Sequence, residues 1–141
     1  MKHKSLLQTI GNTPLVQLPF PGTATVLAKL EYLNPGGSVK DRSALFMIEQ
    51  AEKQGLLKPG GTIIEASSGN QGIATAMIGA IKEYKVIITT NDKFSKDKIN
   101  AIKAYGAKII MCPATAFIEN PNSYHSVALK LSQEIPNSFM L

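Results

Sequence analysis

The feature that most constrains the fold is an alternation, from residue 43 onward, between segments with helical spacing and short, mostly apolar segments. The first helical segment, SALFMIEQAEKQG, places Leu45, Ile48 and Ala51 on one face and ends at Gly55, a residue typical of helix C-termini. The short segments TIIEAS, KVIITT, KIIMC and SFML have no face that is consistently polar. Strands of this kind are covered by helices on both faces and pair in parallel. The sequence therefore predicts a three-layer α/β domain with a parallel four-stranded sheet.

Three more helices are predicted between these strands. NQGIATAMIGAIKEY is apolar on nearly all sides, which is typical of a buried helix. SKDKINAIKAYGA has Ser95 as its predicted N-cap and Gly106 as its stop, and the last helix covers residues 123–134.

The first 33 residues follow a different pattern. PLVQL and ATVLAKLEYL are joined by PFPG, which predicts a β-hairpin set before the alternating units. We therefore divide the chain into an N-terminal crossover segment with a hairpin, residues 1–33, and an α/β domain, residues 34–141. Because the apolar segment SFML needs cover on both faces, we expect a further domain to complete the structure.

Composition argues against several classes of function. The net charge is +5, but Arg42 is the only arginine and the lysines are scattered, unlike a nucleic-acid-binding surface. Cys112 is the only cysteine, and His3 and His125 lack the neighbours of a metal site. The longest apolar stretch is too short to cross a bilayer. We expect a cytoplasmic protein without nucleic-acid, membrane or metal binding.

The stretch NPGGSVKDRS places Lys40 just after a Pro-Gly-Gly turn, where a helix is predicted to begin. The first turn of a helix carries the positive end of the backbone dipole, which disfavours an ammonium group. If Lys40 is also buried, its neutral amine is favoured and becomes a usable nucleophile. The alternative is an ordinary surface lysine.

A second stretch, EASSGNQGIA, leads from a predicted strand into the buried helix. Small residues at this junction leave backbone N–H groups free at the positive end of a helix, which favours anion binding. The alternative is an ordinary N-cap with a glycine for close packing. The spacing of Gly69 and Gly72 matches neither a dinucleotide fingerprint nor a P-loop.

Together the two stretches indicate one chemistry. A neutral lysine amine forms a Schiff base with an aldehyde, and a nearby anion site holds a carboxylate. This pair of features is typical of pyridoxal-phosphate chemistry on an amino acid.

The same stretches resemble a known family. NPGGSVKDR, MIEQAEKQGLLKPGGTIIEASSGNQGIA and the opening TIGNTPLV are similar to cysteine synthases and cystathionine β-synthases, the fold type II pyridoxal-phosphate enzymes. KFSKDKINAIKAYGAKIIMCPA and NPNSYHSVALKLSQEIPNSFML resemble the cystathionine β-synthases more closely. The resemblance covers essentially the whole chain.

The resemblance implies specific roles. Lys40 would be the catalytic residue that binds pyridoxal phosphate covalently and moves the substrate α-proton, and Asn70 would bind the cofactor's 3′-oxygen. The residues implied in binding the amino-acid carboxylate are Ser67, Ser68, Gly69, Asn70 and Gln71. The implied reaction is β-replacement, in which serine or O-acetylserine exchanges its β-substituent for a thiol. The implied partners are therefore an amino acid and a thiol, and we also expect a homo-oligomer.

The chain departs from the family pattern in two ways. The family usually has T-S-G-N-T-G, where this chain has Ser67 and Gln71 at the threonine positions, and the longer Gln71 puts the usual substrate in question. Family members also have a second domain with a glycine-rich cup for the cofactor phosphate, and no such loop is present here. We therefore expect the N-terminal part of an enzyme, inactive alone, whose early hairpin joins the second domain. The alternative from another class is a non-catalytic remnant that acts as a binding module.

Overall fold

A computed structural model describes residues 2–116 and 119–141. The strands are β1 (Leu15–Leu18), β2 (Val26–Lys29), β3 (Thr62–Ala66), β4 (Lys85–Asn91), β5 (Lys108–Cys112) and β6 (Ser138–Met140). The helices are α1 (Lys40–Lys53), α2 (Asn70–Ile81), α3 (Lys96–Ala104) and α4 (Tyr124–Glu134). Short 3-10 helices cover Leu6–Thr9 and Glu31–Leu33. The predicted alternation of strands and helices is confirmed.

The larger sheet has four parallel strands in the order β5, β4, β3, β6. Because all four run in the same direction, their carboxyl ends meet at one edge. The register pairs Glu65 of β3 with Ile88 of β4, and Ala66 with Thr89. This sheet confirms the predicted four-stranded parallel sheet.

Helices cover both faces of this sheet. Ile88 lies against Gly72 of α2, whereas the Thr89 hydroxyl donates a 2.7 Å hydrogen bond to the Tyr124 carbonyl at the start of α4. Since consecutive strand residues point to opposite faces, α2 and α4 lie on opposite sides. α1 and α3 both pack against α2. The predicted three-layer architecture is confirmed.

α2 lies unusually close to β4 because two glycines face that strand. A Cβ added to Gly72 would lie 3.2 Å from the Ile88 Cγ2 atom. A Cβ added to Gly79 would collide with the Cγ2 atom of Val86. Gly79 is required for space and Gly72 leaves only a tight contact, and the close approach allows α2 to bury seven of its residues.

The predicted hairpin is present as β1 and β2, which pair antiparallel and form a separate two-stranded sheet. All four residues of β1 are exposed, and Leu15 retains 59% of its accessible surface. The predicted extent of the second strand is wrong at its end, because Glu31–Leu33 forms a 3-10 helix.

Arg42 of α1 explains the structure at the end of that strand. Its guanidinium donates to both carboxylate oxygens of Glu31, with an Nη2 to Oε1 distance of 2.9 Å, and to the Gly11 carbonyl at 2.8 Å. The Gly11 N–H in turn donates to the Asn34 side chain at 2.8 Å. The hydrogen bond from Arg42 lowers the pKa of Glu31. This network fixes the N-terminal segment against α1.

The close approach of α2 to β4 makes a testable prediction. Gly79→Ala improves helix propensity by about 1 kcal/mol. The clash with Val86 costs about 1 to 3 kcal/mol, so we expect net destabilisation. Chemical denaturation of Gly79→Ala, Val86→Ala and the double variant measures this effect. The cost of Gly79→Ala should shrink or reverse when Val86 is replaced by alanine, and an equal cost in both backgrounds would contradict the packing described here.

Candidate active site

Lys40 is the first residue of α1, as predicted. The turn before it ends at Ser38, whose hydroxyl accepts a 3.1 Å hydrogen bond from the Lys40 N–H. That bond occupies one of the backbone donors that a helix start leaves without an intrahelical acceptor. Gly37 has a φ of +82°, a conformation that favours glycine. The Pro-Gly-Gly turn thus leads directly into the helix that carries the lysine.

Asp41 holds this turn from inside. Its side chain is fully buried, and its Oδ2 atom accepts a 2.5 Å hydrogen bond from the Gly36 N–H. A Cβ on Gly36 would collide with the Asp41 carboxyl group, so only glycine fits there. Burial raises the pKa of Asp41. Asp41 therefore fixes the position at which α1 starts.

Burial, one of the two conditions named for a neutral Lys40 amine, is not met in the structure described here. The residue is exposed, although its neighbours Ser38 and Asp41 are buried. A lysine at the first turn of a helix reaches solvent because its long, flexible side chain keeps the charged end in water. The amine is therefore accessible to a ligand that binds beside it.

The loop between β3 and α2 is shaped by Ser67. Its side chain is buried, and its hydroxyl oxygen accepts hydrogen bonds from the N–H groups of Gly69 and Gly72, each at 3.1 Å. The Ser67 N–H donates to the Thr89 carbonyl at 3.0 Å, which ties the loop to β4. The Ser67 hydroxyl thus holds the loop itself, and the implied contact of Ser67 with a substrate stays a prediction.

The next residues carry the free donors of the loop. α2 begins at Asn70 with Gly69 as its N-cap, and Ser68 and Asn70 are exposed. Within residues 2–116 and 119–141, the backbone N–H groups of Asn70 and Gln71 make no hydrogen bond. Free N–H groups at the positive end of a helix favour an anion such as a carboxylate. These two groups are therefore free to bind an anion, and the anion site itself stays a prediction.

A hydrogen bond joins the two predicted stretches. The Ser43 hydroxyl of α1 lies 2.9 Å from the Oε1 atom of Gln71 in the first turn of α2. Ser43 is one helical turn beyond Lys40, and its hydroxyl also lies 3.1 Å from the Lys40 carbonyl oxygen. The structure thus brings the lysine helix and the Ser-Gly-Asn loop side by side. Ser43 was missed in the sequence, although its i, i+3 spacing from Lys40 places both on one helix face.

Glu65, near the end of β3, is a second residue that the sequence did not single out. It is 7% exposed, and its pairing with Ile88 places it on the face that α2 covers. Burial raises the pKa of Glu65 to about 7. A carboxyl group in this state takes up or releases a proton near neutral pH, two residues before Ser67.

Other features of the fold lie away from this site. A cavity of about 420 Å³ is lined by Tyr84, Lys85, Tyr105 and Lys108, at the amino ends of the strands. Ligand sites in parallel sheets form at the carboxyl edge, so this cavity is separate from the candidate site. Cys112 is buried in β5. Burial raises the pKa of the Cys112 thiol, which disfavours the reactive thiolate.

Residues 2–116 and 119–141 hold no group of three or more His, Cys, Asp or Glu side chains that could bind a metal ion. In the same ranges, no helix is both long enough and apolar enough to cross a bilayer.

Comparison with known proteins links this geometry to a family. A family model described as "Pyridoxal-phosphate dependent enzyme" matches residues 6–141. The chain is 50% identical to a cystathionine beta-synthase of Apis mellifera, covering 96% of this chain and 28% of that protein. It is 46% identical to the Saccharomyces cerevisiae cystathionine beta-synthase, with 97% and 28% covered. It is 43% identical to cysteine synthase 1 of Emericella nidulans, with 94% and 36% covered.

Solved structures agree. An O-ureido-L-serine synthase superposes with a TM-score of 0.85 and 40% identity, covering 95% of this chain and 42% of that one. A hydrogen sulfide-producing enzyme from Fusobacterium nucleatum superposes with a TM-score of 0.88 and 39% identity, covering 99% and 45%. The chain spans less than half the length of each of these proteins. These similarities confirm the resemblance that the motifs indicated.

The buried Glu65 carboxyl makes stability depend on pH. Its pKa is about 7 in the folded chain against a usual 4.5. Between these two pH values the carboxyl group is protonated in the folded state and ionised in the unfolded state. The stabilisation is complete below about pH 4.5 and is lost as the pH rises through about 7. We expect the free energy of unfolding, relative to Glu65→Gln, to fall by about 1 to 3 kcal/mol between pH 5 and pH 8.

Urea denaturation of both proteins across this pH range measures that difference. The glutamine in the Glu65→Gln variant has the same shape as glutamate and does not ionise, so this variant serves as the control for all other titrating groups. A difference between the two proteins that stays constant with pH would contradict the burial of an ionisable carboxyl at this position.

Proposed function

We propose, since the chain belongs to the family of pyridoxal-phosphate-dependent enzymes, that its site takes part in β-replacement on serine or O-acetylserine by a thiol. Two kinds of relative support this reaction type, the cystathionine beta-synthases and a cysteine synthase. In the reaction, the bond from the β-carbon to oxygen breaks and a carbon–sulfur bond forms. Water leaves when the substrate is serine, and acetate leaves when it is O-acetylserine.

One observation carries the proposal. Lys40 and the loop at residues 67–71 lie at the starts of two neighbouring helices, which the hydrogen bond between Ser43 and Gln71 joins directly. An accessible amine beside an anion site is the arrangement that a cofactor aldehyde and an amino-acid carboxylate require together.

The residues present fit the reactive part of pyridoxal phosphate. Lys40 would hold the cofactor through its accessible amine, and the exposed Asn70 amide would bind the cofactor's 3′-oxygen. When bound, pyridoxal phosphate supplies an electron sink that stabilises negative charge on the substrate α-carbon. The amine of Lys40 would accept the α-proton and return it, which makes it the general base and acid of the site.

The loop would bind and orient the amino acid. The free N–H groups of Asn70 and Gln71 would donate hydrogen bonds to the substrate carboxylate. The exposed Ser68 hydroxyl is close to them in the sequence. Gly69 adds no side chain, and a Cβ at that position would meet no atom within 4 Å. This open space leaves room for a ligand to approach the loop. Ser67 would contribute by holding the loop in shape through its two accepted hydrogen bonds.

The whole protein's organisation is part of the proposal. The family's cup for the cofactor phosphate would come from a second domain, which the exposed hairpin in residues 1–33 would help to cover. Residues 34–141 would then form the N-terminal α/β domain, inactive by itself. We also propose a homo-oligomer and a cytoplasmic location, the latter consistent with the single buried thiol of Cys112.

Replacement of the lysine tests the proposed function. In a protein that includes the proposed second domain, incubation with pyridoxal phosphate should give a visible absorbance band, and borohydride reduction should leave a covalent adduct that mass spectrometry maps to Lys40. Lys40→Ala should lose both signals, because Lys40 is the only lysine in the first turn of α1. Lys53→Ala, at the other end of the same helix, is the matched control and should retain both.

An adduct on a different lysine would contradict the role of Lys40. If the protein that includes the second domain gives no absorbance band, a non-catalytic binding module is favoured instead.

A further inference from the structure

The hydroxyl of Ser43 stands between two acceptors. Its oxygen lies 2.9 Å from the Gln71 Oε1 atom and 3.1 Å from the Lys40 carbonyl oxygen. A serine hydroxyl has one proton, so it donates to one of these acceptors at a time. The shorter contact is the one that crosses from α1 to α2.

The other end of the Gln71 amide has no partner. Its Nε2 atom is buried, and residues 2–116 and 119–141 provide no acceptor for it. Buried donors without partners are rare and costly in folded proteins. This one lies in the first turn of α2, where the backbone N–H groups of Asn70 and Gln71 are free as well. The first turn of α2 therefore holds three donors without partners among the described residues.

Gln71 has two ways of meeting Ser43, and they present opposite groups to a ligand. When Oε1 accepts from the Ser43 hydroxyl, the free end of the amide is a donor. If the amide rotates by half a turn, Nε2 donates to Ser43, whose proton then goes to the Lys40 carbonyl, and the free end is an acceptor. A carboxylate has only acceptors and therefore binds the first arrangement.

We propose that Ser43 is a positioning residue, which holds the Gln71 amide with its N–H group towards the substrate carboxylate. This inference rests on the proposed function and adds a determinant of substrate class. Ligands with a carboxylate gain the Gln71 hydrogen bond, whereas ligands with a neutral carboxamide gain much less. Ser43 itself does not touch the substrate.

Paired ligands and three variants test this role. L-serine and L-serinamide differ only in the carboxylate, and titration calorimetry gives their dissociation constants for the purified protein. Ser43→Ala should weaken L-serine binding about 3- to 10-fold, the range expected for one mispositioned hydrogen bond to a charged group, and should weaken L-serinamide binding clearly less. Ser43→Thr keeps the hydroxyl and should restore the affinity. Because alanine favours helices, Ser43→Ala should remain folded.

Gln71→Met keeps the length of the side chain but removes the amide that bonds to Ser43 and that would donate to the carboxylate. In the Gln71→Met background, Ser43→Ala should have no further effect on the affinity for L-serine, because its partner is gone. The inference is overturned if Ser43→Ala weakens both ligands equally, if it leaves the affinity for L-serine unchanged, or if its effect persists in the Gln71→Met background.

A spectroscopic measurement observes the amide directly. The side-chain ¹⁵N–¹H₂ signals of Gln71 are identified by their loss in Gln71→Met. Addition of L-serine should shift them in the unaltered protein and in Ser43→Thr, but much less in Ser43→Ala. Equal shifts in all three proteins would overturn the positioning role.

The two proposals fail separately. If borohydride attaches the cofactor to Lys40 but the variants show no coupling between Ser43 and Gln71, only the positioning role is lost. If no cofactor attaches to Lys40, the proposed function is lost whatever the Gln71 signals show.

Discussion

The site depends on how closely α2 lies on β4. Gly72 and Gly79 leave no side chain between the helix and Ile88 and Val86, so the helix sits directly on the sheet. That contact places the start of α2 at the carboxyl edge, immediately after β3. The Ser67 hydroxyl connects strand and helix because it accepts hydrogen bonds from two N–H groups of the turn between them. With those donors occupied, the N–H groups of Asn70 and Gln71 remain for a ligand. The position of these free N–H groups is thus a consequence of packing, which a side chain at Gly79 would disturb.

The start of α1 is held in place by side chains of its own first turn and of the turn before it. Its first turn is fixed by Asp41, which lies buried against Gly36, and by Ser38, which accepts from the Lys40 N–H. The lysine is therefore held at the backbone while its side chain stays exposed. Two helix starts lie next to each other, and the positive ends of their dipoles favour negative charge between them. Under the proposed function, the cofactor aldehyde would bind at Lys40 and the carboxylate of an amino acid would bind at the loop.

Much of this could be predicted from the sequence, and the failures have physical causes. The apolar strands and the helix spacing predict the sheet because burial on both faces leaves a continuous signal. The predicted end of the second hairpin strand was wrong because the Glu31 side chain pairs with Arg42, which is 11 residues away in the sequence. Lys40 was placed correctly at a helix start, but its exposure depends on what packs around it. The Ser43–Gln71 hydrogen bond joins residues 28 apart, and no local pattern reports such a contact.

The claim that Lys40 and the loop at residues 67–71 form one site is tested most directly by a crystal structure of the protein grown with pyridoxal phosphate. We predict continuous electron density from the Lys40 Nζ atom into the cofactor ring, with the Asn70 side chain within hydrogen-bonding distance of the 3′-oxygen. Cofactor density attached to another lysine, or a ring bound at Lys40 but turned away from the loop, would contradict the claim.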